Sequence, residues 1–384
     1  MPNAVLTVNK HISEICDIDF FVSKKGIYLY PVDLEKEAFF LKLIQNDKRL
    51  VIKLDKSTMP KITSSLKDFM LRFAEDLALK LNGNIEHHNL NINRKTDYSL
   101  FDNYEIKTQA INKTSWVNEL CNKDRLNLEI GMGSGEFLTN EAKTRKNECF
   151  IGVEVLNNDF YIALRRFNNA KLDNIKAVYY DARAILDKFE SNSIDNIYLN
   201  FPEPWFRAKR LKHSILTARV AKKIERILKV GGRFNILTDN HPFALSSCVM
   251  LENSTKLKSL FNRPYIITNE NIKTKYEKKW IKYQRTIYKL VYTKDKKSEP
   301  IKPISLRFPI KIKNLNSLVK DGYVFKVLGL YKNTKGQQIV ELTLGYGKNP
   351  QHIFFSFKDG YIDILPQSNF IVNHDFLNAL AING

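Results

Sequence analysis

The chain has 384 residues, 27% of them charged and 43% apolar, an ordinary globular composition that excludes a disordered or fibrous protein. Sixty-one Lys and Arg against 41 Asp and Glu leave a net charge of +20, which points to a polyanionic partner. Cys16, Cys121, Cys149 and Cys248 are scattered without a CxxC pair or a histidine cluster, so no metal site and no disulfide scaffold is expected; nor does any apolar run reach the ~18 residues of a membrane span, so a cytoplasmic protein is expected.

Residues 27–30, 39–44 and 50–54 alternate like strands, with a turn at 46–48. Residues 61–81 place Leu66, Met70, Phe73 and Leu77 three to four apart and predict an amphipathic helix. The polar, Asn-rich stretch 82–114 reads as a linker. Across 115–295 strand and helix patterns alternate, which predicts parallel βαβ units. After a polar break at 294–300 the tail leans to strands at 323–330, 339–344 and 352–357. These patterns predict an α+β accessory domain over 1–112, an α/β domain over 113–297 and a β-rich accessory domain over 298–384. Charge is concentrated in the centre, for residues 201–300 alone hold 23 basic and 8 acidic side chains.

The strand 126–130 runs into Gly131-Met132-Gly133-Ser134-Gly135 and then a helical pattern, the nucleotide-binding corner of a doubly wound sheet. A second strand ends at Glu154, placed to accept both hydroxyls of a ribose, and a third at Asp181, placed to accept from an adenine amino group. Glu136, at the sixth position of the glycine pattern, opposes a pyrophosphate. Glu129, just before the first glycine, suits a cationic or amino-bearing ligand. S-adenosyl-L-methionine carries an ammonium, a sulfonium, a ribose and an adenine but no phosphate, and it fits these acids better than NAD does.

A fourth strand, 194–201, leads into Pro202-Glu203-Pro204-Trp205 and then the basic run 207–213. The two prolines stiffen the turn and hold Glu203 at the cofactor crevice. A stiff carboxylate, an indole and a basic run are what an extruded guanine on a polyanion requires. The helix 218–229 buries Val220, Ile224, Ile227 and Leu228, and Gly231-Gly232 is expected to end it. A fifth strand, 233–238, delivers Asp239 to the same sheet edge. Thr274, Lys275, Tyr276 and Glu277 lie in the basic segment 273–285, ahead of a strand at 286–292.

The segments LEIGMGSGEFL (128–138), FIGVEV (150–155), YYDARAIL (179–186), NIYLNFPEPWFRAKR (196–210), ILKVGGRFNILTDN (227–240) and TKYEKKW (274–280) together resemble the bacterial tRNA (guanine-N7-)-methyltransferase family. The resemblance implies a class I methyltransferase domain with a doubly wound, mostly parallel sheet, acting in the cytoplasm as a monomer or homodimer. It implies methylation of guanine 46 in the tRNA variable loop, with S-adenosyl-L-methionine as cofactor and neither a metal nor a membrane involved. Cofactor binding would fall to Glu129, Gly131, Gly133, Gly135, Glu154 and Asp181. Substrate binding would fall to Arg207, Lys209, Arg210, Lys212, Asp239 and Thr274 through Glu277. Glu203 stands where the family carries a catalytic aspartate, Arg207 where it carries lysine, and Lys212-His213-Ser214 replaces Lys-Arg-Arg. The long terminal extensions resemble an elongated, epsilon-proteobacterial variant of the family.

Guanine N7 already offers an in-plane lone pair, so methylation needs no prior deprotonation and the work falls on alignment. Glu203 is therefore expected to orient the base rather than to accept a proton. Two rival readings stand at this level. Asn200-Phe201-Pro202-Glu203 echoes the turn of amino-methyltransferases, and the Glu203 and Ser214 departures fit a non-catalytic tRNA-binding protein.

Overall fold

The computed structural model describes the chain except for residues 36, 59–61, 92–100, 114–115, 118–122, 204–213, 269–282, 284, 302–303, 305, 348 and 384. The chain divides into two compact units, one of Met1–Tyr98 with Ser305–Gly384, the other of Ser99–Ile304. Strands are numbered in chain order. In the first unit the N-terminal segment supplies β1 (Asn3–Thr7), β2 (Phe21–Ser23), β3 (Ile27–Leu34), β4 (Glu37–Asn46), β5 (Arg49–Leu54) and β6 (Asn84–His88). The C-terminal segment supplies β15 (Ile310–Lys311), β16 (Leu318–Lys320), β17 (Tyr323–Lys332), β18 (Gln338–Tyr346), β19 (Gln351–Lys358) and β20 (Tyr361–Ile364).

All twelve strands form one sheet in the order β15-β20-β19-β18-β17-β2-β3-β4-β5-β1-β6, with β16 beside β17. The seam is β2 against β17, Ser23 opposite Tyr331. The two accessory domains expected from sequence are thus corrected to a single body, because strands at opposite ends of the chain complete each other's hydrogen bonding. The helix Ser64–Lys80 starts at Thr63, whose hydroxyl accepts from the Leu66 N–H at 2.9 Å. Its Leu66, Met70, Phe73 and Leu77 join Leu6, Leu41, Leu43 and Ile52 in the core. A second cluster of Leu29, Phe40, Tyr331, Ile339 and Phe354 unites residues of both segments. Beside it, buried Glu341 accepts from Lys42 at 3.0 Å, from the Tyr331 hydroxyl and from His352 at 2.7 Å, while Lys42 lies 3.3 Å from Asp55.

The second unit holds β7 (Arg125–Ile130), β8 (Glu148–Glu154), β9 (Ile175–Tyr179), β10 (Ile194–Asn200), β11 (Leu228–Thr238), β12 (Lys258–Ser259), β13 (Ile266–Ile267) and β14 (Tyr288–Thr293). Their order is β12-β14-β11-β10-β7-β8-β9, with β13 beside β14. Strands β7 to β11 run parallel and β14 runs antiparallel to β11. The chain moves outward from β7 to β9 and then returns to the other side of β7 as β10, which leaves a crevice at the carboxyl ends of β7 and β10. Helices Glu136–Thr144 and Asn157–Asn169 pack on β8 and β9, and helices Ala218–Ile227 and His241–Ser254 pack on β11.

Three local expectations are corrected. The presumed linker 82–114 contains β6 and buries Phe101, Tyr104, Ile106 and Ile111, with the Ile106 N–H donating to the Ala177 carbonyl at 2.8 Å and the Ala177 N–H donating to the Tyr104 carbonyl at 2.7 Å along the β9 edge. Gly231-Gly232 does not cap a helix. It lies within β11 at a register shift against β10, where a Cβ on Gly232 would stand 2.9 Å from the Lys229 carbonyl. Cys16 and Cys248 are free, whereas Cys149 is disulfide-bonded. Among the described residues, no helix is long and apolar enough to cross a membrane and no cluster of His, Cys, Asp and Glu could hold a metal.

Candidate active site

The central strand β7 is apolar except at the exposed Arg125 where it begins and at Asn127 and Glu129, both of which are buried. It ends in a loop whose Gly131, Gly133 and Gly135 all have positive φ. Gly135 is required twice over. Its φ is +70°, and a Cβ there would come within 2.7 Å of the Phe167 ring and 2.8 Å of Ala163. The Gly131 and Met132 N–H groups donate to the Val153 carbonyl at 2.9 and 3.1 Å, which ties the loop to β8.

Glu154, the last residue of β8, is buried and serves the backbone. Its Oε2 accepts from the Gly133 N–H at 2.9 Å, and its Oε1 accepts from the Val155 and Leu156 N–H groups at 2.8 Å. Three of the roughly four acceptor positions of a carboxylate are thereby used. Asp181 caps the helix Ala182–Ile185, and both of its oxygens are held by Arg183, through the backbone N–H at 2.9 Å and through the guanidinium. To accept from an adenine it must share those lone pairs. Glu136 is drawn to Arg166 at 3.3 Å.

Glu129 is different. Only 2% of it is exposed, its Oε1 accepts from the Asn200 amide at 2.8 Å, and its buried Oε2 has no hydrogen-bond partner among the described residues. Burial pushes its carboxyl well above the usual range, Asn200 pulls it back, and the charges of Glu154 and Glu141 push it up again. A buried acceptor with no donor is costly unless a ligand supplies one. A cationic amine would supply both the donor and the countercharge.

Glu203 is exposed, three positions beyond Asn200, where Phe201 turns the chain at φ +49° and its N–H donates to the Leu237 carbonyl at 2.7 Å. Asp239, just past β11, accepts from Arg285 at 2.8 Å. Arg207, Lys209, Arg210, Lys212, Thr274, Lys275, Tyr276 and Glu277 lie outside the described residues. The sequence reading missed three rings beside Asp239. His241 stacks on Tyr288 with centroids 5.0 Å apart, and Tyr265 meets both edge-on. It also missed a polar cleft of about 830 Å³ on one face of the sheet, lined by Arg145, Tyr198, Asn200, Arg233, Asn235 and Lys289 among others. The alternation of β10, with Ile194, Ile197 and Leu199 buried and Asn196, Tyr198 and Asn200 half-buried, was the available signal for that cleft.

A family model described as a putative methyltransferase matches residues 123–290, the span that holds these features. The tRNA (guanine-N(7)-)-methyltransferase of Campylobacter fetus subsp. fetus is 26% identical over 381 residues, covering 92% of this chain and 91% of that protein. The chain is thus similar to the tRNA (guanine-N7-)-methyltransferases over nearly its whole length. The family member of Wolinella succinogenes is 27% identical over 322 residues, 81% of this chain and 78% of its own length. Both alignments run well beyond 123–290, so the similarity takes in residues outside the span of the family model. The Aquifex aeolicus member, 28% identical, spans 87% of its own length but only 63% of this chain. Among solved structures, the 16S rRNA methyltransferase KamB covers 48% of the chain at 12% identity and a TM-score of 0.39, too low to carry an inference.

Proposed function

We propose that Glu129, the Gly131–Gly135 loop and Glu154 hold S-adenosyl-L-methionine in an enzyme that methylates N7 of guanine in tRNA, with guanine 46 of the variable loop as the target. The observation that carries this reading is the buried Glu129 carboxylate at the carboxyl end of the central strand, whose Oε2 has no donor among the described residues. The cofactor ammonium satisfies that oxygen, and the glycines let the rest of the molecule lie close to the backbone. Glu154 keeps one acceptor position for the ribose, and Asp181 shares its carboxylate between Arg183 and the adenine. The parallel strands with helices on their faces belong, on this reading, to a doubly wound class I domain.

Held by these residues, S-adenosyl-L-methionine would supply an electrophilic methyl group to the guanine N7 lone pair, with S-adenosylhomocysteine as the second product. Because N7 already carries its lone pair, no side chain has to take a proton, and the methylated base would carry the positive charge. Glu203 orients the base through N1–H and the exocyclic amine, and its charge opposes the cation that forms. Asp239, the run 207–212 and residues 274–277 complete the substrate surface, with the rings of His241, Tyr265 and Tyr288 offering a stacking wall beside them. The enzyme works as a monomer or homodimer, in the cytoplasm, without a metal.

The test is mass spectrometry of nucleosides from tRNA incubated with the protein and methyl-labelled cofactor. Labelled N7-methylguanosine, with reductive cleavage of the tRNA at position 46, is the expected result. Label in an N-methyladenosine, or heat-silent titration with the cofactor, would favour the amino-methyltransferase or the binding-protein reading instead.

A further inference from the structure

Asn200 closes β10, and Tyr198, two residues earlier, pairs in register with Glu129 on β7. The backbone that carries Asn200 is pinned by the next residue, since Phe201 donates to the Leu237 carbonyl at 2.7 Å. From that fixed position the Asn200 Nδ2 donates to Glu129 Oε1 at 2.8 Å. The terminal torsion of a glutamate is soft, so a carboxylate with neither oxygen held could swing and present its charge in several directions. One held oxygen removes that freedom and leaves Oε2 as the acceptor for an incoming donor.

We propose that Asn200 is a positioning residue for cofactor capture, whose amide fixes the Glu129 carboxylate in one orientation and favours its charged form toward the ammonium of S-adenosyl-L-methionine. The proposal rests on the assignment of Glu129 to the cofactor. The groups around Glu129 make the amide necessary. Glu154 on β8 and Glu141 on the helix Glu136–Thr144 both disfavour a second negative charge. Arg145, at the end of that helix, is engaged by Glu141 at 2.9 Å, Glu148 at 3.2 Å and the Tyr198 hydroxyl at 3.2 Å. The Asn200 hydrogen bond is the interaction that favours the charged form of Glu129 against burial and these two acids.

The experiment is equilibrium binding of S-adenosyl-L-methionine to the full chain from about pH 5.5 to about pH 7.5, below the titration of the ligand's own amine. Asn200→Ala is expected to weaken binding about ten- to a hundredfold at the acid end, with the deficit narrowing as pH rises, and to leave tRNA affinity unchanged. Asn200→Asp, close to isosteric and therefore the control for folding, is expected to weaken it further because it sets a third acid against Glu129. In a Glu129→Gln background, Asn200→Ala is expected to add less than about twofold, since the carboxylate it serves is gone. A loss of the same size at every pH, or one that persists in the Glu129→Gln background, overturns the proposal. Unchanged cofactor affinity in Glu129→Gln alone overturns the assignment of Glu129 beneath it, and that result is distinguishable from the other two.

Discussion

Glu203 is the residue at which this chain departs most visibly from the family it resembles, and its exposed position past the Phe201 turn leaves room for one more methylene than an aspartate has. An orienting carboxylate tolerates that change, because the methyl transfer needs alignment and no proton abstraction. In single-turnover assays Glu203→Gln is therefore expected to stay within about tenfold of wild type, and Glu203→Ala to lose about a hundredfold, with wild-type rates lacking a carboxylate-like rise with pH. A dead Gln variant that still binds cofactor and tRNA would contradict the orienting role. At this scale the sequence was readable wherever spacing alone carries meaning. Three glycines directly after a strand are legible as a tight turn, and the structure holds all three at positive φ. The Asn200 contact was not readable, since it depends on which strand lies beside β7 and in what register. Nor was the prior engagement of Glu154 and Asp181, because hydrogen bonds to backbone and to Arg183 leave no trace in residue spacing.

Elements with a clean period were legible, and those without one were not. The helix Ser64–Lys80 and the strands β3, β4, β5, β17, β18 and β19 fall close to their expected places because one face of each is continuously apolar. Strand β6, Asn-Ile-Glu-His-His, has no buried residue and among the described residues pairs only with β1, so it read as a polar linker. The ring cluster assembles from the start of one helix, a loop and β14, which no local pattern connects. Its position beside Asp239 gives it an element-level test. His241→Ala is expected to weaken tRNA binding by about tenfold, the order of one lost base-stacking contact, while cofactor affinity stays unchanged. Filter binding at fixed salt measures this, and an equal loss for both ligands would point to damage at the β11 end instead.

For the molecule as a whole, the main thing hidden in the sequence was that its two ends build one sheet. Pairing between strands hundreds of positions apart leaves no local signature, whereas the central domain announces itself through motifs. The buried ionic cluster links the two segments chemically. Hydrogen bonds from His352 and Tyr331 and the charge of Lys42 overcome burial and hold the Glu341 carboxyl at about 2. A carboxyl depressed on folding stabilises the folded state above its unfolded pKa, and that stabilisation drains away as pH falls toward the folded value. Between pH ~4.5 and ~2 the first unit is expected to lose roughly 3 kcal/mol from this group. Glu341→Gln should flatten that acid limb while lowering stability at neutral pH, where it leaves Lys42 short of a countercharge. Thermal unfolding across pH, followed in both proteins, measures it, and identical acid limbs would refute the assignment.

The seam between β2 and β17 also has a consequence for biosynthesis. A ribosome delivers the strand that completes the seam only after the entire methyltransferase unit has emerged, on the order of tens of seconds after β2 at ordinary elongation speeds. Through that interval the nascent N-terminal half-sheet carries a bare edge able to recruit foreign strands. A stalled or truncated message would release a chain with its catalytic unit complete and that edge open, a natural client for chaperones and proteases.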